Sequence, residues 1–306
     1  MIPTILLSVS LILTIAGFFS QFGWWFDLAS HFRVQYFFWQ IFCVLLCIPK
    51  KRWKILSLAL VAALVNFALI IPLYFPSANN KVAVPSQKIS ILLFNLNSYN
   101  DQFQELQEYI KEVNPDILAL EEVNETWLSA LTESLKEYPY WVSSARNDNF
   151  GIGLYSKIPV EDIQIIHFGS AGVPSVVAKY LINNKPTTLL FTHPVPPWNF
   201  RYYELRNEQL EDIASKRSFF DHNLILIGDL NTTSWSHQFS QFTKIMNLVD
   251  ARKGFGIHVT WPTMWPWAGI TIDHILVSPN IRVLDHKTGP DLGSDHYPVY
   301  TKLKIE

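Results

Sequence analysis

The chain has 306 residues, 49% of them hydrophobic, and a formal net charge of −2, which bounds it to one large domain or two small ones. Residues 1–80 hold five Lys or Arg and one acid, whereas residues 81–306 hold 19 basic and 25 acidic side chains, a net of −6. That acidic remainder lacks the basic stripe that nucleic-acid binders usually show, and it contains neither of the two cysteines, which excludes disulfide and thiol chemistry there.

No charged side chain occurs in residues 1–26, 34–49 or 55–80. A spanning helix needs about 20 apolar residues, which the first and third runs supply. The second is short and relies on Arg33 and Lys50 snorkelling at its ends. Three transmembrane helices are expected, near residues 3–20, 33–50 and 55–76. A cleaved signal peptide fits the first run poorly, because it has no basic start and no small-residue cleavage site. Cys43 and Cys47 stand four apart in the second run and read as small packing residues rather than ligands. Orientation follows from Lys50, Lys51, Arg52 and Lys54, since positive loops stay in the cytoplasm. The loop 21–32, with no Lys or Arg, then sits on the other side, with Trp24, Trp25 and Phe26 as an interfacial aromatic belt. Residues 77–87 read as a linker. The expected organisation is a membrane anchor over 1–80 and a catalytic domain over 81–306, outside the cytoplasm.

In the second part, residues 88–97 (KISILLFNLN) form an expected strand and 101–113 an amphipathic helix stopped by Pro115. Residues 116–122 (DILALEE) are a buried strand ending in two acids, and Asn124 caps a helix carrying Trp127, Leu128, Leu131 and Leu135. Strands follow at 151–156, 173–182 and 187–192, the last running into His193. A helix over 202–220 precedes the strand 223–231 (NLILIGDLN), in which four apolar residues lead to Gly228, Asp229, Leu230 and Asn231. Asp229 and Asn231, two apart, face one spot. A helix at 236–248 and strands at 271–278 and 297–305 complete the pattern. Alternating and consecutive strands together predict an α/β (α+β) four-layered sandwich, two packed mixed β-sheets flanked by helices.

Several strands end in side chains that a core does not want: Asn95, Glu122, His193, Asp229 with Asn231, Asp273 with His274, and Asp295 with His296. Each has a bland reading as a turn residue or a satisfied core histidine. Together they describe a site for a hard cation and a phosphate.

These motifs resemble the endonuclease/exonuclease/phosphatase superfamily over about residues 88–306, in order. FNLN, PDILALEEV, GIGLYSK, THPVPP, GDLN, TIDHILVS and GSDHYPV each match a family motif, and the detail is similar to bacterial membrane-attached, YafD-like members. Glu121 is a departure, since the family usually has Gln there; alternation points it away from Glu122. The resemblance implies metal-assisted hydrolysis of a phosphoester at the bacterial inner membrane. Glu122, Asn95 and Asp295 would hold Mg²⁺ or Mn²⁺. Asp229 would take the proton of the attacking water, and Asn231 would donate to the phosphorane. His296, held by Asp273, and His193 would contact phosphate oxygens. Arg206 either reaches the site or is an ordinary surface arginine. Residues 261–267 (WPTMWPW) stack bases, enter the interface or fill a loop core. A lipid or lipid-linked phosphoester is the first expectation for the substrate, DNA the second, and a non-catalytic binding module the third. No protein partner is legible.

Overall fold

The structure is a computed structural model that describes residues 2–48, 53–76 and 87–305. The cluster at 50–52 and the linker at 77–86 lie outside these residues, so the orientation argument that rests on them has no structural counterpart here.

The chain opens with four helices: α1 (Ile2–Ala16, continued by a 3₁₀ turn, Gly17–Phe22), α2 (Trp24–Ser30), α3 (Arg33–Cys47) and α4 (Trp53–Ile70, continued by Ile71–Tyr74). Two of the described helical segments, Ile5–Phe22 and Trp53–Tyr74, are long and apolar enough to cross a membrane. The expected third is not. α3 has 15 residues, about 22 Å at 1.5 Å per residue, short of a hydrocarbon core of about 30 Å. Leu7, Cys43 and Ala59 pack together in this bundle. Polar groups stitch its middle, where Asn66 Nδ2 donates to Thr14 Oγ1 (3.0 Å) and Gln40 Oε1 (2.9 Å). Ile12, Leu45, Val61 and Leu64 face outward and exposed. An apolar exterior around a hydrogen-bonded polar cluster inverts the usual soluble pattern and suits a lipid surround.

The remaining elements are β1 (Gln87–Asn95), α5 (Phe103–Val113), β2 (Ile117–Glu121), α6 (Glu125–Leu135), β3 (Tyr140–Ser144), β4 (Ile152–Ser156), β5 (Val160–His167), β6 (Pro174–Ile182), β7 (Lys185–Thr192), α7 (Phe200–Ser215), β8 (Asn223–Asp229), α8 (His237–Met246), β9 (Val249–Asp250), β10 (Asp273–Val277), β11 (Ile281–Thr288) and β12 (Val299–Ile305). Two six-stranded sheets result, ordered β11-β12-β1-β2-β4-β3 and β5-β6-β7-β8-β10-β9. Both are mixed: β1 runs parallel to β2 and antiparallel to β12, β8 parallel to β7 and antiparallel to β10.

Continuous apolar runs such as ILLF and LILI arise because successive residues serve opposite faces, both buried. Ile91, Leu93 and Ala119 meet Val176, Ala178, Ile225 and Ile227 between the sheets. Leu92 and Leu118 face Leu106, Ile110 and Trp127 of α5 and α6. Leu224 and Leu226 face Leu210, Phe239 and Phe242 of α7 and α8. This is the expected four-layered sandwich. Asn124 caps α6, accepting from Trp127 N. α7 starts and stops earlier than expected, capped by Asn199 and followed by a separate 3₁₀ turn.

Candidate active site

The C-terminal ends of β1, β2 and β8 and the start of β10 lie along one rim of the sandwich. Register does much of the placing. Asp229 at the end of β8 is the direct cross-strand partner of Asp273 at the start of β10, which sets two carboxylates side by side. Beyond β8 the chain turns through Asn231, whose φ of 51° is left-handed, and its N–H donates to Asp229 Oδ1 at 2.8 Å. Gly228 is required: a Cβ there would lie 1.9 Å from the Thr192 carbonyl oxygen.

His296 sits against both acids. Its Nδ1 lies 2.9 Å from Asp273 Oδ2, and its Nε2 lies 3.7 Å from Asp229 Oδ2. Thr260 Oγ1 accepts the Asp273 N–H at 3.2 Å. His193 approaches from the other side, Nε2 3.8 Å from Asp229 Oδ2, and its buried Nδ1 has no partner. Burial disfavours a charged imidazole at both histidines, with opposite outcomes. At His296 the Asp273 carboxylate and its hydrogen bond overrule burial and push the pKa up to about 10. At His193 burial wins, helped by the His296 charge, and the pKa falls to about 3. Burial raises Asp229, and Asp273 beside it raises it further. Asp273 is held down despite burial, because His296 pairs with it. One imidazolium and one neutral imidazole thus flank a carboxylate of raised basicity.

A second group lies alongside. Glu122, with φ of 58°, turns off the end of β2. Asn95 Nδ2 donates to its Oε1 at 3.2 Å and the Ser98 N–H to its Oε2 at 3.1 Å, yet burial still raises its pKa. Asp295 accepts from Asn97 Nδ2 at 2.8 Å and Trp261 Nε1 at 3.0 Å. Among the described residues neither acid pairs with a Lys or Arg. Two carboxylates with an adjacent amide and no cationic side chain form a hard-oxygen set that fits a divalent cation. Asp229, Asp273 and His296 also bring ligand atoms within 4.8 Å of one another. In that trio the short Asp273–His296 hydrogen bond occupies Nδ1 and a carboxylate oxygen, which describes an oriented acid–imidazole pair better than a cage.

Glu122, His193, Asp229, Asn231, Asp295 and His296 therefore line one cavity of about 480 Å³. Asn95 supports Glu122 and Asp273 supports His296 from behind. His274 is not brought there: its Nε2 lies 2.8 Å from the Thr232 carbonyl and its ring packs on Phe239. Asn231 uses one amide hydrogen on the Pro194 carbonyl, 2.9 Å away, leaving the other for a ligand.

Three side chains differ from expectation or were missed. Arg206 neither enters the cavity nor lies on the surface. It is fully buried, donating to the Asn231 carbonyl (2.9 Å) and pairing with Asp27 of α2 (2.8 Å). Glu121 is fully buried and bridges the two sheets, accepting the Asp229 N–H at 2.9 Å; burial and then Asp229 and Asp273 raise its pKa well above the ordinary carboxyl range. Asn97, the holder of Asp295, repeats the i, i+2 spacing of Asp229 and Asn231 after β1, and that spacing was the available signal.

Residues 92–296 match the model of the Endonuclease/Exonuclease/phosphatase family. The chain belongs to this family. Its members are generally metal-dependent phosphoester hydrolases. Solved structures share the fold at low identity. D. rerio TDP2 complexed with a single-strand DNA product is 17% identical with a TM-score of 0.60, covering 71% of this chain and 99% of that one. The endonuclease/exonuclease/phosphatase from Bacteroides vulgatus is 19% identical with a TM-score of 0.58, covering 72% and 100%. The human Nocturnin catalytic domain with bound sulfate is 16% identical with a TM-score of 0.56, covering 71% and 93%. Comparison with curated proteins finds no significant match.

Proposed function

We propose that the chain is a membrane-tethered, Mg²⁺- or Mn²⁺-dependent phosphoester hydrolase acting outside the cytoplasm at a bacterial inner membrane, on a lipid or lipid-linked phosphoester. The observation that carries the chemistry is Asp229 between His193 and His296, at 3.8 and 3.7 Å, beside Glu122 and Asp295. Glu122 and Asp295 would hold a divalent cation, with Asn95 positioning Glu122, and the cation would supply charge neutralisation at the phosphate and the leaving oxygen. Asp229 takes the proton of the attacking water, and its raised basicity suits that task. The His296 imidazolium, aimed by Asp273, donates from Nε2 to a phosphate oxygen. Neutral His193 and the free amide hydrogen of Asn231 add donors around the same group.

Two apolar helical segments long enough to span a bilayer support the tether, and the basic cluster at 50–54 supports the orientation. Nucleic acid is the competing substrate, favoured by the relative that holds a single-strand DNA product. Against it stands the net charge of −6 over residues 81–306. The test is the full chain in nanodiscs with Mg²⁺ or Mn²⁺, given phospholipid vesicles and plasmid DNA in parallel. Headgroup or phosphate release from vesicles is expected. DNA nicking that falls steeply with salt, without release from vesicles, would make the nucleic-acid reading the right one.

A further inference from the structure

The membrane segment is more than a tether in this structure. α2 and the two residues after it lie on the catalytic unit, beside the cavity. Trp24 Nε1 donates to the Pro197 carbonyl at 2.8 Å, and His31 Nδ1 lies 3.0 Å from Thr233 Oγ1. Ser236 Oγ donates to Asp27 Oδ1 at 2.6 Å, while the other Asp27 oxygen takes Arg206. Asp27 is 1% and Arg206 0% exposed, so the charged pair is sealed from water. Breaking it strands a buried charge. α3 adds Gln35 Nε2, which donates to the Gly269 carbonyl at 2.6 Å. With the helix fixed this way, Leu28, His31 and Phe32 line the same cavity as Asp229 and His296.

We propose that this segment forms one wall of the substrate cleft, with Leu28 and Phe32 contacting the apolar part of an amphipathic phosphoester whose phosphate meets Asp229 and His296. The inference rests on the hydrolase reading above and deepens it. The cavity is polar at the sheet ends and apolar toward Leu28, Phe32, Trp198 and Ile270. About 480 Å³ is far more than one phosphate fills. Exposed aromatic side chains stand on the same segments: Trp25 and Phe26 on α2, whose Trp24 binds the Pro197 carbonyl, Trp198 and Phe200 just after that proline, and Trp265 and Trp267 in the loop before Gly269, which Gln35 holds. Aromatic side chains of this kind favour the headgroup level of a bilayer. The apolar wall also belongs to the stretch of chain between the two helical segments long enough to span. A ligand with a phosphate at one end and an alkyl chain at the other matches both ends of this cleft at once, with its chain leaving toward lipid. Leu28 and Phe32 are then specificity-determining contacts.

The test uses the full chain in nanodiscs with Mg²⁺ and two p-nitrophenyl phosphodiesters that differ only in their second ester group, ethyl or hexadecyl. Leu28→Ala and Phe32→Ala should each lower the hexadecyl-to-ethyl ratio of kcat/KM about tenfold relative to the parent chain, because each removes apolar contact felt by one ester alone. A ratio equal to the parent's, or an equal fall for both esters, overturns the proposal. A second measurement does not depend on turnover. A photo-crosslinking amino acid at position 28 should label with a non-hydrolysable hexadecyl phosphonate, and one at Leu181, exposed at the end of β6 remote from His193, should not. Absent labelling at 28, or labelling displaced by a single-stranded oligonucleotide, overturns the amphipathic ligand. If the parent chain hydrolyses neither ester while position 28 still labels, the hydrolase reading fails and the wall stands.

Discussion

The docking of α2 gives the sharpest stability prediction. Asp27→Ala removes the carboxylate that pairs with Arg206 at 2.8 Å and accepts from Ser236 at 2.6 Å. Arg206 remains fully buried with only neutral acceptors, the Asn231 carbonyl and Asn207. Uncoupling a buried pair by deleting one partner costs about 3–5 kcal/mol. For a unit of this size each kcal/mol moves the midpoint by about 2–4 °C, so the melting midpoint of the purified chain should fall by about 6–20 °C. Arg206 also holds the Asn231 carbonyl, so the loss should reach the cavity and lower activity below the new midpoint. The pH dependence has a definite sign. Burial works to raise the Asp27 carboxyl, but Arg206, His31 and Ser236 hold it well below its ordinary value of 3.8. The pair's stabilisation is therefore fully present above the unfolded value and is lost as pH falls through the folded one. The gap between parent and variant should stay constant from about pH 5 to 8 and close only in strong acid. Scanning fluorimetry on both chains reads this directly. Equal midpoints at neutral pH would refute the sealed pair, and with it the docking of α2.

Other perturbations act at the sheet ends. Glu122→Gln should raise the concentration of Mg²⁺ or Mn²⁺ needed for half-maximal activity about 10-fold or more, read by metal titration; unchanged demand would remove Glu122 from the cation set. Asp273→Asn should move the alkaline limb of the pH–rate profile toward acid. Burial works against the His296 proton, and it is held to about pH 10 by Asp273 first, with Asp229 and Asp295 adding to it, so losing the Asp273 carboxylate and its hydrogen bond lowers the value. A limb left in place would exclude His296 as the proton-bearing group. A reporter active only outside the cytoplasm, fused after Glu306, should be active, and neutralising Lys50, Lys51, Arg52 and Lys54 should scramble it. A silent reporter on the parent chain would contradict the proposed orientation.

The sequence made the sandwich legible through its central strands, and the four strands it concealed are the four sheet edges: β3, β5, β9 and β11. Edge strands pack one face only, so β5 (VEDIQIIH) and β11 (IRVLDHKT) intersperse charge with apolar residues and lose the continuous run that marks ILLF or LILI. At the site, the polar residues at strand ends were readable because a core has no use for them. The residues that hold them were not. Trp261 reads as an apolar loop residue, yet its indole N–H binds Asp295. Strand alternation turns Glu121 away from Glu122 onto the face of Ile117 and Ala119, between the sheets, but its partner there, the Asp229 N–H of β8, was not legible. Asp27 meets Arg206 across 179 positions of chain and His31 meets Thr233 across 202, and only the folded structure brings such pairs together.

The central claim is that Asp229 acts as the base of a metal-dependent phosphoester hydrolase. It is tested most directly by nitrophenolate release from a p-nitrophenyl phosphodiester, using the full chain in nanodiscs, for the parent and Asp229→Asn. The amide keeps the size of the carboxylate and cannot accept the water's proton. Turnover that needs Mg²⁺ or Mn²⁺, stops with chelator, and falls about 10²–10⁴-fold in a variant of unchanged melting midpoint is the predicted result. Near-parental turnover in the folded variant, or turnover indifferent to chelator, would contradict the account.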